Sequence, residues 1–252
     1  MKKLILYIFL AILFSCNQPN NTDKISSNQN TQINNIPFKL EIGDILFQDL
    51  DDSPLCDAIE LVPPGYNGAN FSHIGIITSI GDTFVQNMNL PDCIDPNYDL
   101  LSGTKVLEAI PGGVRITLID SFLNRSYDKN KKPKVIVGRL KPKYKHSINN
   151  AIKFLEHKIG REYDQSFILN NNQYYCSELI YEAFKKDSIF ELRPMTFLHP
   201  ETKDTLPVWI DYYKDLGITI PEKKLGINPG TMSLSKKIDI VYFYGKPDGI
   251  EE

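Results

Sequence analysis

Apolar runs of strand length crowd the first part of this chain, and they limit the kinds of fold it can adopt. Glu41-Ile42-Gly43-Asp44-Ile45-Leu46-Phe47 alternates and then turns apolar, like a strand entering a sheet. Phe71 to Ile80 is a longer run that ends near Gly81-Asp82, and Thr83 to Met88 has the form of its hairpin partner. Val106 to Ile110, closed by Pro111-Gly112-Gly113, and Val135 to Leu140 follow. One helical stripe interrupts them. Asp52-Ser53-Pro54 is a helix start, Leu55, Ala58, Ile59 and Val62 fall at helical spacing, and Pro63-Pro64-Gly65 is the stop. Helical patterns come later. Ser147 to Ile159 carries Ile148, Ala151, Ile152 and Leu155 on one stripe and closes at Gly160. The segment around Cys176 is a second helix and Thr205 to Leu216 a third, while Ile238 to Tyr244 makes a last strand. Strands that cluster, rather than alternate one for one with helices, predict an α+β fold over a doubly wound sheet.

The N-terminus has a different character. Lys2 and Lys3 precede an apolar run from Leu4 to Phe14, and Ser15-Cys16 ends it. The run is short for a membrane span and has the form of a secretory signal. A small residue followed by Cys resembles the lipobox of bacterial lipoproteins. That resemblance implies a signal peptide over residues 1–16, lipidation at Cys16, and a protein held by a lipid anchor at the bacterial cell envelope, on its periplasmic face or outer membrane. Residues 17–36 are crowded with Asn, Gln, Ser and Thr and read as a flexible polar tether. Residues 37–252 then fit one domain, with a C-terminal extension at about 190–235. A net charge of −3 offers no basic field and argues against a nucleic-acid partner.

Four cysteines must be divided. With Cys16 assigned to the signal, Cys56, Cys93 and Cys176 remain, an odd number in an export compartment. Cys56 and Cys93 could pair, which would leave Cys176 free. No CxxC spacing and no His/Cys cluster has the form of a zinc site, so no metal is expected.

Cys176 opens a helix in QYYCSELIYEAF, with Leu179, Ile180, Ala183 and Phe184 on one face. Glu178 and Glu182 lie toward its start and Lys185 and Lys186 at its end, the charge order that suits the helix dipole. A thiolate at that positive end is stabilised, and free backbone N–H groups there can hold an oxyanion. On this stretch alone, a small apolar residue packed at a helix start is an equally good account. A nucleophile would need a base. Of the four histidines, only His73, in Phe71-Ser72-His73-Ile74-Gly75, is set in an apolar strand, and Gly75 leaves room beside its ring. His146 and His157 flank or lie on a charged helix and His199 precedes Pro200 in a loop. In Val106-Leu107-Glu108-Ala109-Ile110 a carboxylate shares a strand face with Val106 and Ile110, a candidate to orient the imidazole.

FSHIGI, VLEAIPGGV, GREYD and YYCSELIYEAF, in that order, resemble the circularly permuted papain-like amidases of the YaeF/YiiX group, related to the NlpC cell-wall hydrolases and distantly to lecithin–retinol acyltransferase. GDILF and GINPG fit as well, and the likeness runs from about Ile42 to Tyr244. It implies an antiparallel sheet or barrel packed against helices. Cys176 then matches the nucleophile, His73 the general base and Glu108 the polar third member. Tyr163 and Asp164 match a motif of positional role, and Tyr174 or Tyr175 lines the cleft, donates to an oxyanion or belongs to the core. The implied activity is amide hydrolysis through a thioester, without a cofactor. The expected substrate is a cell-wall peptide or a related N-acyl amine. Two other readings stay open: a lipid-directed acyltransferase or N-acyl amide hydrolase, and a non-catalytic envelope lipoprotein. The segment at about 190–235, with Trp209, Tyr212 and Tyr213, is either a cleft wall or a structural cap.

Overall fold

Strand β1 (Ile45–Gln48) begins later than its apolar pattern, because Gly43 takes a left-handed φ of 91° and turns the chain just before it. This is seen in a computed structural model that describes residues 38–62, 64–81 and 103–250. The signal segment, Cys16, the tether, Cys93 and the expected strand from Thr83 to Met88 lie outside the described residues. After β1 come α1 (Pro54–Glu60), β2 (His73–Ser79), β3 (Lys105–Ile110), β4 (Gly113–Leu118), α2 (Ile119–Leu123) and β5 (Val135–Leu140). The second half holds α3 (Ile148–Glu156), α4 (Cys176–Phe184), β6 (Arg193–Pro194), α5 (Pro207–Leu216), β7 (Leu225–Gly226), α6 (Pro229–Ser233) and β8 (Ile238–Phe243). Ser53 caps α1 as its sequence demands, its side chain accepting from the Cys56 N–H.

Six strands form one antiparallel sheet in the order β4-β3-β2-β1-β5-β8. The pleat sends alternate residues to opposite faces. On one face Ile45, Phe47, Ile74, Ile76, Leu107, Ala109 and Ile136 join Leu155 of α3 and Leu179, Ile180 and Phe184 of α4 in the main core. On the other, Leu46, Ile77, Val106, Val135 and Val137 close over Phe122 of α2. Leu179, Ile180 and Phe184 are fully buried, which stabilises the docking of α4 by about 1.5–3 kcal/mol each. The fold is α+β, with the sheet packed against helices.

Several elements escape the sequence pattern. Pro111-Gly112 closes β3, but it is also a two-residue hairpin into β4, with Ile110 paired to Gly113. Gly113 has a φ of 114°, and a Cβ there would lie 2.6 Å from the Arg161 carbonyl oxygen. That close approach lets the Val114 N–H donate to Arg161 and the Gly160 N–H donate to Val114, so the hairpin is tied to the loop before Tyr163. Helix α2 is only five residues long, too short to show a helical period. Asn228-Pro229-Gly230, which reads as a turn, is the start of α6, where Asn228 accepts from the Thr231 N–H at 2.8 Å.

Candidate active site

His73 is the first residue of β2 and pairs with Gln48 of β1. Pairing of β2 with β3 starts two residues later, at Gly75 opposite Glu108. Residues 73 and 75 share a face, so Glu108 lies diagonal to His73 on that face, within reach of its ring. The distance from His73 Nε2 to Glu108 Oε2 is 2.6 Å. Gly75 is required here: a Cβ would come within 2.5 Å of Val106 Cγ1 and 3.0 Å of Phe122 Cε2. Phe122 is thereby free to tilt against the His73 ring, centroid to centroid at 5.6 Å.

Glu108 is fully buried and both of its oxygens are occupied. Thr117, on the same face of β4, donates to Oε1 at 2.5 Å. Arg125 closes the cluster with a two-pronged pair, Nη1 to Oε2 at 2.7 Å and Nη2 to Oε1 at 2.5 Å. Burial opposes the Glu108 charge, but hydrogen bonds from Arg125 and His73 outweigh it and hold the carboxyl well below the usual carboxylate range. For His73, burial likewise opposes the charged form. Hydrogen bonding to Cys176 and to Glu108 wins, and the imidazole is pushed up to about 9.

Cys176 is the first residue of α4, buried, with a free thiol. Its Sγ lies 4.0 Å from the Ser72 carbonyl oxygen, one residue before His73. Tyr175 stands at the cap position and makes no side-chain capping bond, so the N–H groups of the first turn receive none from it. The helix start, the histidine and the carboxylate therefore come together although they arise from three separate stretches of chain. The other histidines are elsewhere: His146 and His157 bond backbone carbonyls on the surface, and His199 Nδ1 accepts two backbone N–H groups of its own loop. Cys56 is also a free thiol, beside Asp52 Oδ1 at 2.9 Å. Burial, then Asp52, push it up to about 12, so it keeps its proton.

The four aromatic and acidic candidates divide. Asp164 is fully buried; its carboxylate accepts from the Ser166 and Ile168 N–H groups at 2.8 and 2.9 Å and so shapes the loop in front of α4. Tyr163 lines the cavity next to Cys176, and burial followed by Cys176 pushes its phenol well above the ordinary value, which keeps it neutral. Tyr175 packs in the core and also lines the cavity, with its hydroxyl oxygen accepting from the Ile227 N–H at 3.3 Å. Tyr174 is a core residue under the Lys158 ammonium and stays out of the cavity lining.

A cavity of about 300 Å³ opens on Cys176. Most of its wall comes from the segment at about 190–235: Met195, Phe197, Trp209 and Ile227 among others. The segment is thus a cleft wall. Its shape depends on β6 pairing with β7 across some thirty residues of chain, which no local pattern announces. Arg125 and Thr117 were also missed. Arg125 sits in the loop after α2, where an arginine looks like any surface charge. Thr117 belongs to the unexpected strand β4.

Among the described residues, Asp49, Asp51 and Asp248 come close enough to hold a cation. The Lys134 ammonium already stands among them, 3.1 Å from Asp49 Oδ1 and 3.1 Å from Asp248 Oδ2, and paired with Asp51.

Against known proteins, residues 39–242 match a family described as permuted papain-like amidase enzyme, YaeF/YiiX, C92 family. Among solved structures the chain is similar to the metalloprotein yiiX from Escherichia coli O157:H7, with 18% identity, a TM-score of 0.61, and coverage of 82% of this chain and 99% of that one. At that identity the likeness concerns the fold. No curated protein matches.

Proposed function

The chain belongs to the permuted papain-like amidase family, a family of cysteine-type amide hydrolases, and on that premise we propose that it cleaves an amide bond with Cys176 as nucleophile, His73 as acid and base, and Glu108 as the group that holds the imidazole. The observation that carries the assignment is the buried run Glu108–His73–Cys176 ending at a helix start that opens on a cavity. With His73 Nε2 engaged by Glu108, the other ring nitrogen is left for the thiol. The Glu108 charge favours the imidazolium against the cost of its burial, and an imidazolium beside the sulfur favours a thiolate nucleophile.

The thiolate attacks the amide carbonyl carbon and the carbonyl oxygen takes the negative charge. Backbone N–H groups of the first turn of α4 stabilise that oxyanion. His73 gives its proton to the amine, the C–N bond breaks, and a thioester to Cys176 remains. Water then adds to the thioester while His73 takes its proton, and the carboxylic acid and free thiolate are released. Arg125 and Thr117 keep Glu108 ionised and fixed, so the imidazole ring cannot turn.

The envelope is the proposed setting, supported by the signal-like start and the Ser15-Cys16 pair. Cell-wall peptides and N-acyl amines are the two substrate classes this setting offers. The decisive experiment uses the purified protein with a cysteine-directed alkylating probe and with both substrate classes. Cys176→Ala should keep its circular dichroism and melting temperature but lose turnover completely. Full turnover in that variant would end the proposal.

A further inference from the structure

Apart from the reacting Cys176, Arg193 is the one charged side chain in the lining of the cavity. The rest of the wall is apolar or carries neutral polar groups, and most of those groups are already engaged. Ser177 donates to the Ile227 carbonyl at 2.9 Å. Asn228 accepts from the Thr231 N–H and donates to the Val62 carbonyl, and Thr196 accepts from the Leu198 N–H. Arg193 is exposed, so it stands where the cavity meets solvent.

The backbone under Arg193 is fixed while its side chain is free. Arg193 pairs with Gly226 across the ribbon of β6 and β7, and Pro194 confines it to extended backbone. Just beyond, the Met195 N–H donates to the Lys224 carbonyl at 2.9 Å and the Lys223 N–H donates to the Met195 carbonyl at 2.8 Å. Neither lysine belongs to the wall. Among the described residues the Arg193 guanidinium takes part in no hydrogen bond or ion pair. The Glu222 carboxylate, on the loop that leads to β7, is engaged by the Phe197 N–H at 2.8 Å. A cation on a fixed base, at the rim of an otherwise uncharged wall, decides the sign of the group a substrate can place there. A carboxylate gains a two-pronged partner, and an ammonium group is repelled. One guanidinium balances the single charge of a carboxylate. A phosphate group, with a charge of about −1.5 to −2, would leave part of its charge unmatched.

We propose that Arg193 is a specificity-determining residue and that the substrate carries a carboxylate, held by its guanidinium at the rim of the cavity. The inference rests on the proposed nucleophile and adds the charge that its substrate presents.

The test uses N-iodoacetyl derivatives of straight-chain amino acids, from glycine to aminododecanoic acid, on the purified protein. The Cys176 sulfur displaces iodide and a thioether to the probe forms. Peptide mass mapping follows labelling at Cys176 alone. Each acid is compared with its primary amide and with probes of equal length that end in an ammonium or a phosphonate group. At the length that lets the terminal group reach Arg193, the acid should label Cys176 about fivefold faster than its amide at low salt, the upper range for an exposed ion pair. The ammonium probe should be slowest, and added salt should shrink the ratio. Arg193→Gln should bring the ratio to about one and Arg193→Glu should reverse the order. An acid-to-amide ratio near one at every length, or a ratio that survives Arg193→Gln, would overturn the assignment and leave the nucleophile standing. Faster labelling by the phosphonate than by the acid would overturn the carboxylate. No labelling of Cys176 by any probe would overturn the nucleophile as well. The wild-type series can refute the point without any variant.

Discussion

The two groups of residues that meet at Cys176, here called its charged and its apolar side, are built by opposite means. On one side His73, Glu108 and Thr117 project from neighbouring strands of a pleated sheet, and Arg125 seals the group from a loop. Position follows from register: once Gly75 is opposite Glu108, the diagonal to His73 is set. On the other side a two-stranded ribbon, α5 and the loop before α6 form an apolar wall whose members come from far apart in the chain. The charged side has its hydrogen bonds filled and tolerates little displacement. The apolar side has its backbone held by the ribbon pairing, but its surface is hydrophobic side chains, and it can change shape by changing them. Chemistry is placed where geometry is rigid, and selection among substrates is placed where it is not.

The largest expected effect lies on the rigid side. Glu108→Gln keeps the shape but removes the charge that holds the imidazolium, and Arg125 then faces an amide. Turnover should fall by about 10²- to 10⁴-fold, the range associated with loss of acid–base catalysis. Single-turnover kinetics on an activated ester checks it. A drop no greater than that of an exposed carboxylate variant would break the contrast drawn here.

Acidity gives a milder test of the same side. The folded-state value of His73 is raised from 6.5 to about 9, so its contribution to stability is complete below about pH 6.5, declines as the pH rises, and is gone above about 9. The activity of the wild-type protein should therefore fall about tenfold per pH unit above about pH 9, and its melting temperature should decline over pH 7 to 9. In Glu108→Gln the limb should move to lower pH, because one of the two groups that raise the value is lost. A wild-type limb near the ordinary histidine value would mean that the imidazole is not held as the geometry indicates.

The smallest effect belongs to the loop in front of α4, whose Tyr163 and Phe167 complete the apolar wall. Asp164→Ala frees the Ser166 and Ile168 N–H groups and lets the loop in front of α4 relax. It should cost about 1–3 kcal/mol of stability in urea titration, with KM changing more than kcat. Equal loss in both parameters would join the two sides into one unit.

What could be read in the sequence follows the same division. His73 and Cys176 stand out because each breaks a clear local pattern, an apolar strand and the start of an amphipathic helix. Glu108 shares a strand face with Val106 and Ile110, which points it inward. These signals exist because period-two and helical repeats are local. The Arg125 partnership depends on a five-residue helix and a loop, and neither has a period to read. Strand β4 is hidden behind Pro111-Gly112-Gly113, since such a run looks like an end when here Pro111-Gly112 is the bend of a hairpin and Gly113 already belongs to β4. The cavity wall was legible only as an aromatic-rich segment. Whether Trp209 caps or lines depends on the pairing of Arg193-Pro194 with Leu225-Gly226, a long-range event.

Ser72 lies in both territories. Its carbonyl is the atom approached by the Cys176 thiol, its side chain borders the cavity, and its peptide bond leads directly into His73. A lineage or a laboratory library seeking new preferences could therefore vary the ribbon and α5 with little penalty to turnover, while the same search at residue 72 would drag the base along with it. Diversification of such a protein should leave its trace in the second half of the chain and almost none at the entrance to β2.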